Sequence, residues 1–536
     1  MANRNLAGVT FDPARQTAPA HKKATKGQVR SDQGAYVFKT DDMERARRFL
    51  ILGAEDSFYQ AGAKTAMESA TTIRKLAQTD AVFQVIDLIE EISVAGRAPK
   101  QSPGLFALAL VIGTTPTEEA KAYAYSKLDK VARTASTLFE FTKYLEQFKP
   151  LGGSGFKKAV GRWYSERDVD SIAFQMVKYR QRDGMDHARL LRLSKYAKSG
   201  EDATRGTLYD WAVGRDIGEV SNAGLPRIVE GFELAKNVTI KELPAYIRAY
   251  GLSWEMLPTE ALNDVKVWDA LLDGNVPMGA LIRQLPRLTN LGILSQLGGR
   301  TAEIEDRLTD RAALKKARIH PINALVAQRV YAQGYGTSNR WTPVKRITAA
   351  LEEAFYNAFD VVEPTGKSHY LGIDVSASMD NPRVSDAIPL VPREIAAVMA
   401  MVVARTEREH YFGAFQERAM PIDISPKDSI AEVLRVMKRF PFVGTNLSLP
   451  MLDALAKGMK VDAFVIYTDN QNGLGHVHPF QALDRYRRET GIPAKIVVNA
   501  TTATRFTMAD PDDKLALDIA GFDSAAPSLI AEFVRS

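Results

Sequence analysis

Between about residues 40 and 360 apolar side chains return at helical spacing again and again, and almost no stretch alternates as a strand would. Asp41 or Asp42 can cap a helix whose Met43, Ala46, Phe49 and Leu50 share one face, with Gly53 as its stop. Val82, Val85, Ile86, Ile89 and Ile92 repeat between Asp80 and Gly96, and residues 105–112 are apolar nearly all round, as in a helix packed on several sides. Similar patterns recur around 138–145, 172–179, 190–193, 268–272 and 324–331. So many helices with short links, in a region too long for one bundle, are expected to stack as helix pairs. No strict repeat is visible, so that expectation rests on the number of helices alone.

Near residue 365 the texture changes. Residues 369–375 read as a buried strand, followed by a helix over 392–407, a strand over 411–415 and helices around 430–440 and 449–457. A strand over 463–468, a helix over 479–490, a strand over 494–499 and a helix near 528–534 complete the pattern. Alternating α and β elements of this kind predict a doubly wound parallel sheet, whose ligands sit at the carboxyl ends of the strands. The predicted organisation is therefore a flexible basic arm (1–33), an all-α helical-repeat domain (34–360) and an α/β domain (361–536). The arm carries Arg4, Arg15, Lys22, Lys23, Lys26 and Arg30 against Asp12 and Asp32, with little apolar surface to bury. It is expected to be flexible or to lie along another surface.

One motif in the second half carries chemistry. The first strand ends in Asp374-Val375-Ser376-Ala377-Ser378, a later strand ends in Asp469, and Thr445 lies in a Gly-Thr loop between them. All three loops should emerge at one edge of the sheet. Hydroxyls and two carboxylates form a hard-oxygen set suited to a divalent cation, Mg²⁺ above all. Ser376, Ser378 and Thr445 would bind directly or through water, with Asp374 and Asp469 orienting coordinated waters. Taken singly, each residue could instead satisfy turn backbone. The arrangement resembles the metal-ion-dependent adhesion site of von Willebrand A domains, which implies a binding device whose metal accepts an acidic group, and no catalysis.

Other chemistries are set aside. The chain has no cysteine, which excludes disulfides, thiolate zinc sites and cysteine nucleophiles and fits a reducing cytoplasm. No apolar run reaches the ~18 residues of a membrane helix, and no signal-peptide core follows the first charges. Gly366-Lys367-Ser368 precedes its strand where a phosphate loop must follow one. His476 and His478 lack a third ligand and read as surface or turn residues.

Charge divides unevenly: residues 1–360 hold 51 Lys and Arg against 42 Asp and Glu, and residues 361–536 hold 19 against 22. The helical half is the one suited to a polyanion. Its densest stretch, 157–198, has eleven basic and five acidic residues. There Lys157, Lys158 and Arg162 precede Lys178, Arg180 and Arg182, of which Lys178 and Arg182 are expected as i, i+4 neighbours on one helix. Asp186 can cap a next helix that strings Arg189, Arg192 and Lys195 opposite Leu190 and Leu191. Such stripes would make a phosphate-binding surface, or simply a solvated face. Trp163, Tyr164 and Tyr179 could stack on bases, although aromatics at helical spacing are usually core.

The strings "KKARIHP" (315–321), "VEPTGK" (362–367), "DVSASM" (374–379), "MVVARTE" (401–407), "GTNLSLPM" (444–451), "TDN" (468–470), "IPAK" (492–495) and "ADPDD" (509–513) together resemble the Ro autoantigen, or TROVE-domain, family. "MERARRFLILG" (43–53) and "KYRQRDGMDHARLLRLS" (178–194) extend the likeness, so it spans residues 34–536 and is closest to bacterial members. The resemblance implies a ring of HEAT-like helical repeats closed by contact between its ends and a von Willebrand A domain. It implies a monomer that binds Y-like small RNA on the outer surface and single-stranded ends of misfolded noncoding RNA in a central hole, with an exoribonuclease such as polynucleotide phosphorylase as partner. By position it assigns Lys178 and Arg182 to Y RNA binding, with Lys195 where vertebrate members carry histidine and Asn446 where they carry aspartate. Two rival readings remain: a metal-dependent protein-interaction scaffold without RNA, and a metal-dependent nuclease, which would need more carboxylates. The expected protein is not an enzyme.

Overall fold

The computed structural model describes residues 22–30, 35–52, 71–98, 100–182, 184–194, 202–220, 223–274, 276–336, 339–359, 362–380, 391–440, 444–469, 475–500, 506–520 and 526–536. Strands β1 (Gln28–Arg30) and β2 (Tyr36–Lys39) pair antiparallel at its start, Val29 opposite Val37. Helices follow. Asp41 opens the helix Asp42–Leu52 by accepting the Glu44 amide at 2.7 Å, and Gly96, at φ 69°, closes the helix Val82–Ala95. In the helix Ser102–Thr114 residues 105–112 are all buried, because neighbours including the helix Ala135–Phe148 cover it. Helices Arg227–Ala235 and Leu243–Tyr250 press together at Gly231, where an added Cβ would fall 2.2 Å from the Tyr250 Cβ.

The helical half closes on itself. Arg318, after the helix Arg311–Lys316, donates from Nη1 to the Val94 carbonyl (3.1 Å), and the His320 ring meets the Arg97 carbonyl at 3.2 Å. These contacts join residues more than 220 positions apart. A short hairpin of β3 (Gln181–Arg182) and β4 (Met185–Asp186) interrupts the helices, with Gly184 at φ 77° in its turn.

The α/β half is built on β5 (His369–Asp374), β6 (His410–Phe415), β7 (Ala419–Pro421), β8 (Ala463–Thr468), β9 (Lys495–Ala500) and β11 (Ala516–Ala520), while β10 (Phe506–Thr507) pairs with β2. The sheet order is β11-β9-β8-β5-β6-β7, parallel throughout except for the β6–β7 edge pair. β5 and β8 are buried along their whole length, which is why residues 370–373 and 463–467 carry no charged side chain. One face packs on the helix Pro392–Thr406 together with Ile322, Leu325, Phe355 and Phe359 from the last helices of the helical half. The other face is covered by Met451, Leu483 and Tyr486.

The two halves share further contacts. Arg48, wholly buried, pairs with Asp518 of β11, which also accepts a hydrogen bond from Thr507 Oγ1 (3.0 Å). The Ile430 amide donates to Glu352 (2.9 Å), and the Arg405 guanidinium lies 3.5 Å from the Tyr356 ring centre. Within the predicted arm, residues 22–30 run along the α/β half. Gln28 is buried with its amide 3.2 Å from His478 Nδ1, whose Nε2 faces the Lys22 carbonyl at 2.7 Å. His478, expected at the surface or in a turn, is therefore a fully buried anchor for that segment. Residues 1–21 of the arm lie outside the described residues. Among the described residues, no helix is long and apolar enough to cross a membrane.

Candidate metal centre and candidate nucleic-acid surface

β5 and β8 are neighbours in register, Ile373 opposite Tyr467, so Asp374 and Asp469 leave the sheet side by side at its carboxyl edge. Asp374 is fully buried and held at both oxygens: Oδ1 accepts the Ser376 amide (2.9 Å) and Oδ2 the Thr468 hydroxyl (2.6 Å). Burial pushes its carboxyl up to about 6, against the downward pull of those hydrogen bonds and the Arg393 charge. The Ser376 and Ser378 hydroxyls are 3.2 Å apart. Asn446 donates its amide to the Gln416 carbonyl just past β6 (2.9 Å), and this ties the loop carrying Thr445 to the same edge. Thr445 is fully buried, and among the described residues its Oγ1 meets no hydrogen-bond partner. A buried hydroxyl left so costs on the order of 1–3 kcal/mol, which a cation at that oxygen would offset. The donors present fit a hard divalent cation.

Asn446 is otherwise employed. Its Oδ1 accepts from the Ser448 amide (3.1 Å) and hydroxyl (2.6 Å), which shapes the entry to the helix Leu449–Ala456. Two groups near Asp374 had no motif to announce them. Thr468 is its hydroxyl donor, and its position one residue before Asp469 on a strand beside β5 was the available signal. Arg393 is a buried cation, paired with Asp380 at 2.5 Å.

The basic residues divide into two sets. Lys178 is the last residue of the helix Val169–Lys178, so Arg182, in β3, is not its i, i+4 neighbour; the helical reading of 178–182 is corrected. The sequence signal for the break is Asp183-Gly184, the dipeptide of tight hairpins. Lys178 is also 9% exposed along its side chain and lies 3.5 Å from Glu255. Arg182 faces the buried Glu140 at 3.2 Å, and Arg189 faces the partly exposed Glu146 at 2.7 Å. The second set meets no carboxylate in these contacts: Arg180 lies 5.5 Å from the Phe232 ring centre, Arg162 donates to the Tyr125 carbonyl (3.2 Å) and Arg192 to the Val213 carbonyl (2.8 Å). Lys158 is exposed and Lys157 half-buried on the helix Ser154–Ser165, which packs on the helix His187–Ser194 bearing Arg189 and Arg192. Asp186 caps the latter as expected, accepting the Arg189 amide at 2.6 Å. Lys195 falls outside the described residues. Trp163 and Tyr164 are wholly buried, bonded to the Ala132 carbonyl (2.6 Å) and His187 (2.8 Å), so they are core and stack on no base.

A model of the TROVE domain matches residues 29–215 and 250–338, and a model of the Ro60 von Willebrand A domain matches residues 368–534. The chain belongs to the Ro60 family. A Deinococcus radiodurans relative, "RNA-binding protein RO60", is 36% identical over 524 residues, covering 96% of this chain and 97% of that protein. A Caenorhabditis elegans relative of the same name is 34% identical over 588 residues, covering 96% and 91%. The crystal structure of the Deinococcus radiodurans RO (RSR) protein aligns with TM-score 0.70 and 35% identity, over 92% of this chain and 99% of that one. Both the family resemblance and the expected fold class, helical repeats joined to a von Willebrand A domain, are borne out. In this Ro60-family chain the carboxyl edge of the A-domain sheet and the surface around residues 154–194 are the two candidate sites.

Proposed function

We propose that this Ro60-family chain binds RNA through the surface formed by helices Ser154–Ser165 and His187–Ser194 and the β3–β4 hairpin. The observation that carries the reading is the grouping of exposed Lys158, Arg162, Arg180, Arg182, Arg189 and Arg192 on these packed neighbours. The facing carboxylates do not preclude it. The Arg189–Glu146 pair is exposed and worth only ~0–1 kcal/mol, so a phosphate can replace Glu146 there at little cost, while buried Glu140 keeps the Tyr144 hydroxyl as a donor (3.1 Å) when Arg182 turns to a phosphate. Lys178 contributes chiefly by holding Glu255 and the end of its helix. The names of the two relatives support RNA as the polyanion.

On this reading structured, Y-like small RNA lies on the outer surface, and single-stranded ends of misfolded RNA enter an opening within the closed helical half. The monomer presents those ends to an exoribonuclease such as polynucleotide phosphorylase and does no chemistry itself. In the A domain Ser376, Ser378 and Thr445 hold a divalent cation, Mg²⁺, with Asp374 and Asp469 orienting its waters. When bound, the cation supplies a coordination position for an acidic group of a partner. The test is RNA affinity against salt for Arg182→Ala combined with Arg189→Ala. Each lost phosphate contact lowers the log–log slope by about 0.9, so a drop near two is expected, with weaker binding at ~0.15 M salt. Unchanged affinity and slope would show that RNA binds elsewhere.

A further inference from the structure

A cavity of about 120 Å³ opens where the helical half closes, between residues 89–104 and 133 on one side and 318–323 on the other. At ~10–15 Å³ per water position, that is room for a small polyatomic anion with its hydration. Its charged lining is all of one sign: Lys100, Arg133 and Arg318, with no carboxylate among the described lining residues. The nearest acidic side chains in sequence turn elsewhere, Glu90 to Lys127 (2.5 Å) and Glu91 to Arg47 (3.4 Å) and Arg97 (3.8 Å).

The two guanidiniums come from segments far apart in the sequence, Arg133 just before the helix Ala135–Phe148 and Arg318 just after the helix Arg311–Lys316. Arg133 spends Nη1 on the Ser93 carbonyl (2.7 Å), the Ser93 hydroxyl (2.8 Å) and the Lys130 carbonyl (3.2 Å). Arg318 spends Nη1 on the Val94 carbonyl (3.1 Å). Among the described residues the remaining guanidinium nitrogens of both meet no acceptor. Burial and the Arg318 charge together push the Arg133 guanidinium down to about 10, a like-charge conflict that no described neighbour relieves.

Backbone geometry adds a separate sign. Arg318 is the one non-glycine among the described residues with positive φ, 51°. It follows the helix Arg311–Lys316, and the Ile319 amide returns to the Leu314 carbonyl at 3.1 Å. Helix ends of this form favour glycine, and a long side chain there costs on the order of 1 kcal/mol. Strain of that kind at a cavity is the mark of a side chain held for use. A third feature is the first turn of the helix Ser102–Thr114: its N-cap Gln101 makes no side-chain cap, both Gln101 and Gly104 line the cavity, and a Cβ at Gly104 would meet nothing within 4 Å. Its amide end adds positive potential to that of the three cations.

We infer that this cavity binds a phosphoryl group, held between Arg133 and Arg318 with Lys100 at its mouth, so that the ligand clasps the segment before the helix Ala135–Phe148 to the segment before the helix Pro321–Gln333. Two sources share that chemistry: free phosphate and the terminal phosphate of an RNA strand. The site is separate from the surface proposed for RNA and does not depend on it.

The test compares thermal unfolding of the full chain in inorganic phosphate and in chloride at matched ionic strength, for the wild type and Arg318→Gly. Glycine accepts φ 51° without strain, so the variant keeps its fold while losing the guanidinium. At tenfold excess over Kd, phosphate should raise the wild-type Tm on the order of 2 °C. Arg318→Gly should lose most of that rise, and Lys100→Ala part of it. An equal rise in wild type and Arg318→Gly is what general salting gives and overturns the site, as does no rise in the wild type. In a second arm, a short oligoribonucleotide with a terminal phosphate competes against its hydroxyl-ended counterpart for the phosphate-loaded protein. Displacement by the phosphorylated strand alone assigns the site to RNA ends, and displacement by neither, with phosphate bound, assigns it to free phosphate.

Discussion

Acidification should loosen the closure of the helical half through one side chain, His320. It is fully buried and is the N-cap of the helix Pro321–Gln333. Nδ1 accepts the Ile322 amide at 3.1 Å, so the ring proton sits on Nε2, which donates to the Arg97 carbonyl at 3.2 Å. A second proton on Nδ1 would abolish the cap, bring a positive charge to the positive end of a helix and leave it buried beside Arg318. Burial accordingly pushes the imidazole down to about 4, from 6.5 in an unfolded chain. With the folded value depressed, the unfolded chain takes up the proton first. Stability is full above pH 6.5 and is lost as pH falls toward 4. The two values give a loss of about 2 kcal/mol at pH 5 and a limit of roughly 3 kcal/mol below pH 4. His320→Asn keeps a capping oxygen and cannot titrate. Urea unfolding at pH 7 and pH 5, with hydrogen exchange at the Ile322 amide, should show wild type losing about 2 kcal/mol more than the variant. Equal losses in both proteins would refute the assignment of the acid sensitivity to this ring.

Mg²⁺ should raise the Tm modestly, and Asp374→Ala, which frees Ser376 and Thr468 from their acceptor, should abolish that shift in a thermal melt with and without chelator. An undiminished shift would place the cation elsewhere. Arg48→Met strands Asp518 in the interface and should cost about 3–5 kcal/mol by denaturant unfolding, whereas Arg48→Met with Asp518→Leu should recover most of it. Gly231→Ala drives a methyl into Tyr250 and should cost roughly 1–3 kcal/mol, with an unchanged unfolding midpoint counting against the packing described.

Most of the architecture was legible because it depends on local periodicity. The eight apolar residues 105–112 read as a helix packed on several sides, which they form, and β5 and β8 were readable because both their faces are buried. The short strands β1, β2, β10 and β11 were not, since their registers are set by partners up to hundreds of residues away. Convergence of Asp374, Thr445 and Asp469 followed from the order of strand ends, but the hydroxyl of Thr468 and the cation of Arg393 depend on three-dimensional register. The reading of 178–182 as one helix failed because charge spacing outweighed the Asp183-Gly184 turn signal. What charge counting could not foresee is which carboxylates come to face Lys178, Arg182 and Arg189, because Glu255, Glu140 and Glu146 are brought there by packing.

The interlocking of the two halves bears on how this polypeptide can be cut. A fragment beginning at residue 361 would leave Ile322, Leu325, Phe355 and Phe359 behind, together with the Gln28 that meets His478 and the β2 edge that receives β10. Its bare apolar wall would invite aggregation, however faithfully the remaining strands paired. A truncation that keeps residues 321–359 attached, and supplies residues 22–39 as a separate peptide, is the smallest piece that retains these partners.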